Sequence, residues 1–454
     1  MKLVLLSGGS GKRLWPLSND SRSKQFLKVL TSPEGNPESM VQRVWRQLDA
    51  VGLQQHTYIA TGRGQMDMLQ SQLGFEAPII MEPERRDTYP AISLAATYLY
   101  SIVGCSLDEV IVVLPVDPYV EDQFFEKVKQ LESVLRESDA DLALMGVKPT
   151  YPSEKYGYIV PTEESHGNEF FKVSHFTEKP REAQAKELIE QQALWNCGVF
   201  AFKLSYLINH LIYRELPIQY EEMVKQYGRM TQISFDYEIV EKAMRVVVTP
   251  YEGYWKDLGT WNTLTEEMGE AQTGKGLMSA DCNNTHLVNE LDIPVAVLGL
   301  SNVIVAASPD GILVATKEAS QRIKDAMKHM EQRPMFEERR WGWYKVLDYG
   351  KLPNGSEVLT KRICVLAGKH LSYQLHIKRE EVWTIISGSG ECIIDDRRVT
   401  VKPGDVLRIP LGARHSLRAN EDLEFIEVQT GSELIEEDTI RLSTSWEEIL
   451  TLCS

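Results

Sequence analysis

The sequence predicts an α/β domain with a mixed, mainly parallel sheet, followed by a small β-rich connector and a C-terminal all-β barrel. Three observations carry this. Short apolar strands alternate with amphipathic helices through the first 260 residues or so, the βα rhythm of a sheet covered by helices on both faces. After about Trp261 the rhythm gives way to short strands and then one charged helical stretch. From Arg340 to Arg441 strand signals recur at short intervals, separated by turn residues. The boundaries read from these changes are 1–265, 266–330 and 331–454.

In chain order, Leu3–Leu6, Thr57–Ala60, Ala77–Met81 and Val110–Val116 read as strands. Ser39–Leu48, Ala91–Ile102 and Phe124–Glu137 read as helices, with Ser39 as an N-cap. In the connector, Val303–Ala306 and Ile312–Val314 read as strands and Glu318–Gln332 as a helix. The turns Leu352-Pro353-Asn354-Gly355 and Asp395-Asp396 punctuate the C-terminal strands, the pattern of a small barrel or jelly roll.

Composition narrows the function classes. With 454 residues, 43% of them hydrophobic, the chain fills two or three packed domains. Its net charge of −16 repels nucleic acid and anionic membranes, so neither is expected as a partner. A phosphate site must then be a local basic pocket. The six cysteines are scattered without a C-x-x-C pair, which predicts free thiols in a reducing compartment. The N-terminus enters a strand directly, without a leader-like apolar run, and a cytoplasmic location is expected.

The stretch from Leu3 to Lys28, LVLLSGGSGKRLWPLSNDSRSKQFLK, concentrates the chemistry. Ser7, Gly8, Gly9 and Gly11 form a loop at a strand end whose backbone N–H groups can cradle phosphate oxygens. Arg13 and Lys24 add two cations for a polyphosphate. The loop is neither a Walker loop, because Gly11-Lys12 is followed by Arg13, nor a dinucleotide fingerprint. With R-L-W-P-L-S and K-Q-F-L it resembles the signature of the sugar-1-phosphate nucleotidyltransferases, most closely the mannose-1-phosphate guanylyltransferases, with Ser23 in place of a usual proline.

Further segments resemble the same family in the same order. Glu82-Pro83-Glu84-Arg85-Arg86-Asp87-Thr88-Tyr89-Pro90 is similar to its nucleobase and ribose loop, which implies nucleotide contacts for Glu82, Arg86 and Asp87; Asp87 stands where Asn is usual. Read alone, Asp87 is a helix cap. Leu114-Pro115-Val116-Asp117 and Tyr254–Trp261 resemble the two magnesium motifs, implying Asp117 and Asp257 as ligands. Tyr156-Gly157-Tyr158-Ile159, Phe176–Pro180 and Trp195–Phe200 resemble the sugar-phosphate motifs. These imply Tyr156, Gly157, Glu178 and Asn196 on the sugar and Lys179 on its phosphate. Ser234-Phe235-Asp236-Tyr237 resembles S-I-D-Y and also reads as a helix start.

The resemblance covers the whole chain, in the long form of the enzyme that carries a phosphomannose isomerase-like domain. It implies a Rossmann-like transferase domain, Mg2+, the substrates GTP and mannose 1-phosphate, and the products GDP-mannose and pyrophosphate. A homo-oligomer, with the connector and barrel supplying a dimer interface, is expected. Gln374–Glu381 and Gly404–His415 resemble the two cupin motifs. Gln374 and His376, two apart on a strand, share a face, and with Glu381 and His415 they make a mixed N/O set suited to Zn2+ or another divalent metal. Arg379 and Glu427 match family positions near the substrate, whereas Lys378 and Val382 stand where histidines are usual. The competing readings are a guanylyltransferase for another manno-configured sugar phosphate with a non-catalytic cupin, and a regulatory GDP-mannose-binding protein.

Overall fold

The computed structural model describes residues 1–9, 12–19, 21–74, 76–166, 169–330 and 332–452. The chain groups into two compact units, Met1–Leu14 with Ser23–Glu270, and Trp15–Arg22 with Ala271–Ser454.

The first unit is built on a nine-stranded sheet. From one edge the strands are Ile79–Glu82, Thr57–Gly62, Lys2–Leu6, Val110–Pro115, Leu194–Lys203, Leu142–Val147, Val246–Tyr251, Phe170–Thr177 and Tyr158–His166. The first four are mutually parallel, while Leu194–Lys203 and Phe170–Thr177 run against their neighbours, so the sheet is mixed as the sequence predicts, with parallel and antiparallel pairings in near-equal number. Alternation along each strand feeds both faces. Leu3 and Leu5 pack with Val44, Leu48 and Phe124 on one side, and Val4 packs with Ile92 and Leu99 on the other.

The helices follow local chemistry. Met40–Ala50 starts from Ser39, whose hydroxyl accepts from the Gln42 N–H while the Gln42 side chain accepts from the Ser39 N–H, a capping box. The helix expected from Ala91 begins earlier, at Thr88, because the Asp87 carboxylate accepts from the Thr88 N–H at 2.8 Å. Pro90 fits there because first-turn N–H groups have no helical partner. No helix among the described residues is long and apolar enough to cross a membrane.

In the second unit, Gln272–Thr273, His286–Asn289 and Val303–Ser308 stack in parallel and Gly311–Thr316 closes the set antiparallel. The helix expected over Glu318–Gln332 is a correction: among the described residues only a 3-10 turn, Ala319–Arg322, and a single α turn, Ile323–Ala326, form. Beyond Ile323 this stretch has no further apolar residue buried, so nothing stabilises a longer helix against its entropy. Trp15–Arg22 folds onto this unit. Ser308 donates to the Pro16 carbonyl at 2.7 Å, Asn19 donates to Asp310 at 2.8 Å, and the Arg22 guanidinium forks onto Glu290 at 2.8 and 2.9 Å.

The C-terminal part is a pair of antiparallel sheets, six strands against five. Residues 352–356 close the hairpin between Gly342–Lys351 and Glu357–Val365. Asp395 and Asp396, both at positive φ, close the tight hairpin from Gly390–Ile394 to Arg397–Val401. Trp383, Ile385, Leu417 and Phe425 fill the space between the sheets.

Candidate active site and metal cluster

The glycine loop leaves the Lys2–Leu6 strand at Ser7, whose N–H donates to the Ala60 carbonyl at 2.9 Å. Gly8 covers the buried carboxyl of Glu82: a Cβ there would lie 3.2 Å from Glu82 Oε1. Glu82 accepts from the Tyr227 hydroxyl at 3.0 Å, and burial pushes its pKa up to about 7 against the pull of Tyr227 and Arg85. Ser23, fully buried, donates its hydroxyl to the Gly9 carbonyl at 2.7 Å. Its φ of −71° is the angle a proline ring enforces, so serine here keeps the conformation and adds a bond to the loop. Gly11 lies outside the described residues.

Lys24, Asp117 and Asp257 meet. Asp257 ends the short strand Trp255–Asp257, which pairs antiparallel with Pro118–Val120 so that Asp257 stands opposite Pro118. This register brings the two carboxylates to one ammonium: Lys24 Nζ is 2.5 Å from Asp117 and 3.6 Å from Asp257. Burial works against the charged lysine, but Asp117 and then Asp257 outweigh it and raise its pKa. Arg13 is exposed, and its charge acts on both Lys24 and Lys155. Gly259 packs against Asp257: a Cβ there would lie 2.9 Å from its carboxylate and would shift it.

Asp117 and Asp257 line a cleft of about 220 Å³ that also takes in Tyr156, Gly157, Glu178, Asn196 and Asp236. Gly157 passes so close to Glu178 that a Cβ would sit 2.6 Å from its carboxylate. Glu178 is buried and ion-paired with the neighbouring Lys179, whose pKa is raised because Glu178 outweighs burial. Asn196 sits where Leu194–Lys203 bulges, with Gly198 at a φ of +73°. Its amide donates to Asp236 at 2.8 Å and its carbonyl accepts from the Gly198 N–H at 3.0 Å. Burial, then Glu178, pushes Asp236 up. The Tyr156 ring lies 4.8 Å from that of Trp195, and burial and Asp257 raise its hydroxyl pKa.

Asp236 falls inside a motif that carries two readings, and Lys155 lies just outside one. Asp236 reads as part of a helix start, and Ser234 is indeed the cap, accepting from the Tyr237 N–H. That leaves the Asp236 carboxylate to the cleft. Lys155 precedes the Tyr156-Gly157 motif; burial and Arg13 lower its pKa against the pull of Asp257. Its adjacency to that motif is the signal in the sequence. Conversely, Arg86 is occupied away from the cleft, donating to Glu84 and to the Met230 carbonyl at 2.8 Å each. Asp87 is the helix cap, at a φ of 71°.

In the C-terminal sheets, His376, Glu381 and His415 are buried with ligand atoms within 4.8 Å of one another. Gln374 pairs with His415 in register, and its amide nitrogen is 3.4 Å from His376 Nε2. Its carbonyl oxygen, however, accepts from Ser372 at 2.7 Å. His415 Nδ1 meets the Ala413 carbonyl at 3.0 Å, which assigns the proton to Nδ1. Nε2 then offers a lone pair and has no hydrogen-bond partner among the described residues. Burial lowers the pKa of both histidines, His376 to about 4, which keeps them as neutral ligands. Burial resists ionisation of Glu381, but His415, His376 and Arg379 hold its carboxyl below the ordinary range.

Arg379 is inside this cluster. Nε donates to Glu381 at 3.1 Å, Nη2 is 3.3 Å from His376 Nε2, and Nη1 donates to the Ile435 carbonyl at 2.9 Å. Glu427 accepts from Trp383 and Gln429 at 3.2 and 2.9 Å, and burial, then Glu381, raises its pKa. Lys378, where a histidine is usual, points outward to Glu433.

Residues 2–274 match the nucleotidyl transferase family model, 280–330 a mannose-phosphate isomerase/GMP-like β-helix domain, and 325–444 the C-terminal region of mannose-6-phosphate isomerase. The xanthan biosynthesis protein XanB of Xanthomonas campestris is 31% identical, the match covering 98% of each chain. The mannose-1-phosphate guanylyltransferase RfbM of Salmonella typhimurium is 29% identical over 97% of this chain and 96% of that one. A crystal structure described as mannose-1-phosphate geranyltransferase from Thermus thermophilus is 29% identical with a TM-score of 0.61, covering 73% of this chain and all of that one.

Proposed function

The chain belongs to the nucleotidyl transferase family, with a mannose-6-phosphate isomerase C-terminal domain behind the transferase region, and from that premise we propose that it transfers GMP from GTP to α-D-mannose 1-phosphate, giving GDP-mannose and pyrophosphate. The observation that carries this reading is the pairing of Lys24 with Asp117 and Asp257, two carboxylates that line one cleft with Glu178 and Asn196. The same reading has the chain act in the cytoplasm as a homo-oligomer, a dimer, with functional parts 1–265, 266–330 and 331–454.

A sugar 1-phosphate is already an oxyanion at neutral pH and needs no general base. Its oxygen attacks the α-phosphorus in line and pyrophosphate leaves, so the protein's work is neutralisation and alignment. Two carboxylates beside a lysine are a hard oxygen donor set, which fits Mg2+ held by Asp117 and Asp257. When bound there, the ion supplies positive charge to the triphosphate. Ser7, Gly8, Gly9 and Gly11 receive the phosphates, and Arg13 and Lys24 neutralise them. Glu178, Asn196 and Asp236 hold sugar hydroxyls, and Lys179 anchors the incoming phosphate. Pyrophosphate release, measured with GTP and mannose 1-phosphate against glucose 1-phosphate and the other nucleoside triphosphates, tests this. Release with the first pair alone is expected; silence across the panel in folded protein overturns it.

A second activity has its own observation, the Nε2 of buried His415, which has no hydrogen-bond partner among the described residues and lies beside His376 and Glu381. This donor set fits Zn2+ or another first-row divalent metal. When bound, such an ion polarises the sugar oxygens in the interconversion of mannose 6-phosphate and fructose 6-phosphate. Formation of fructose 6-phosphate across a series of divalent metals tests it, and no turnover with any of them rejects the second activity.

A further inference from the structure

The guanidinium of Arg379 contacts two of the three residues of the cluster. It donates to Glu381 Oε1 and lies on His376 Nε2, two of the three clustered donors. A lone pair shared with an N–H is not available to a cation, and a divalent ion beside a guanidinium is repelled. The arginine is not confined to the cluster, however. It also lines an adjoining cavity of about 220 Å³, where the Ile435 carbonyl holds its Nη1.

Four cations and three carboxylates line that cavity. Arg333, Arg339 and Lys361 line it together with Arg379. Three carboxylates, Glu337, Glu436 and Glu437, also line it, and Glu337 is paired with Arg339 while Glu436 is paired with Arg441. Lys361 Nζ sits over the Tyr344 ring at 4.8 Å and 3.5 Å from Glu427. A phosphate monoester entering this cavity meets a lysine and arginines whose forked donors suit its oxygens.

We infer that Arg379 couples the two sites: a phosphate monoester in the cavity draws the guanidinium off Glu381 and His376, so anion and metal bind with positive cooperativity. The inference rests on the metal reading of the cluster and deepens it. Arg379 is then a positioning residue that exchanges one partner for the other. Linkage makes the effect reciprocal, the metal tightening the anion by the same factor as the anion tightens the metal.

The test uses the full-length chain. Co2+, followed by its visible absorption, is titrated with and without mannose 6-phosphate, and a His415→Ala variant supplies the signal from any other cobalt site. The sugar phosphate is expected to tighten Co2+ by about tenfold in the wild type, within the usual range of coupling between sites. Arg379→Gln is expected to bind Co2+ tightly without the anion and to show less than about twofold enhancement. Arg379→Lys, which keeps the charge but loses the fork, should fall between them and covers the case in which the glutamine variant does not fold. Cobalt binding in the wild type that the sugar phosphate leaves unchanged overturns the coupling while the metal reading stands. Absence of the His415-dependent signal in wild type and both variants overturns the metal reading and the coupling with it.

Discussion

Lys24 Nζ lies 2.5 Å from Asp117, a residue 93 positions away in the chain, and the same ammonium reaches Asp257 at 3.6 Å. The lysine thus holds together two carboxylates that repel each other and that, in the proposed reaction, must share a cation. Replacing it with methionine removes the positive charge from the triphosphate and uncovers both acids. The expected result is a kcat lowered by about 100-fold or more, the scale of losing one charge-stabilising contact, together with a lower Mg2+ concentration for half-maximal rate. Initial rates of pyrophosphate release across a magnesium titration check both, and an unchanged or higher magnesium requirement goes against this role.

Gly157 faces a different constraint. A methyl group there would meet Glu178 Oε2 and the Phe176 ring, each at 2.6 Å. Gly157→Ala therefore has to displace the buried Glu178 carboxylate or the ring. A stability loss of about 1–3 kcal/mol is expected from the overpacking, with the KM for the sugar phosphate rising far more than that for GTP. Denaturant titration and two-substrate kinetics read the two effects separately.

Lys179, about half exposed and paired with Glu178, is assigned to the incoming phosphate. Lys179→Ala should raise the KM for mannose 1-phosphate much more than the KM for GTP. Equal effects on both substrates would remove it from that role.

Glu82 carries a pH prediction. Its pKa is raised from 4.5 to about 7 in the folded chain, chiefly by burial, so between those values the native state holds a proton that the unfolded state has lost. Stability at this position is therefore present in full below about pH 4.5 and falls as pH rises towards 7. Glu82→Gln keeps an acceptor for the Tyr227 hydroxyl without the charge. Its melting temperature relative to wild type should increase from pH 5 to pH 8, and a difference that stays flat or shrinks would be the contrary result.

Much of the site was legible because its motifs are local. The glycine loop, the Tyr156-Gly157 turn and the Glu178-Lys179 pair each occupy a few consecutive residues whose chemistry shows without a fold. Asp87 carries two readings: its neighbours resemble a base-binding loop, and its carboxylate caps a helix, as its place before the helix predicts. Asp236 shows the converse, reading as a cap while its side chain faces Asn196 across the cleft. Local sequence presents both uses of an aspartate equally well, and the choice between them depends on which strand lies opposite.

What the sequence by itself determined was the succession of elements and the residue types at their ends, because hydrophobic periodicity and turn chemistry act over a few residues. Tertiary structure alone decided three things. The pairing of Trp255–Asp257 with Pro118–Val120 set Asp257 beside Asp117. The bonds of Pro16, Asn19 and Arg22 grouped Trp15–Arg22 with residues beyond 270 rather than with the glycine loop that precedes it. The convergence of strands placed the Arg379 guanidinium on His376 and Glu381, inside the buried cluster. Each depends on strand register and on charges brought from distant parts of the chain, and the energies of those contacts exist only once the sheets have formed.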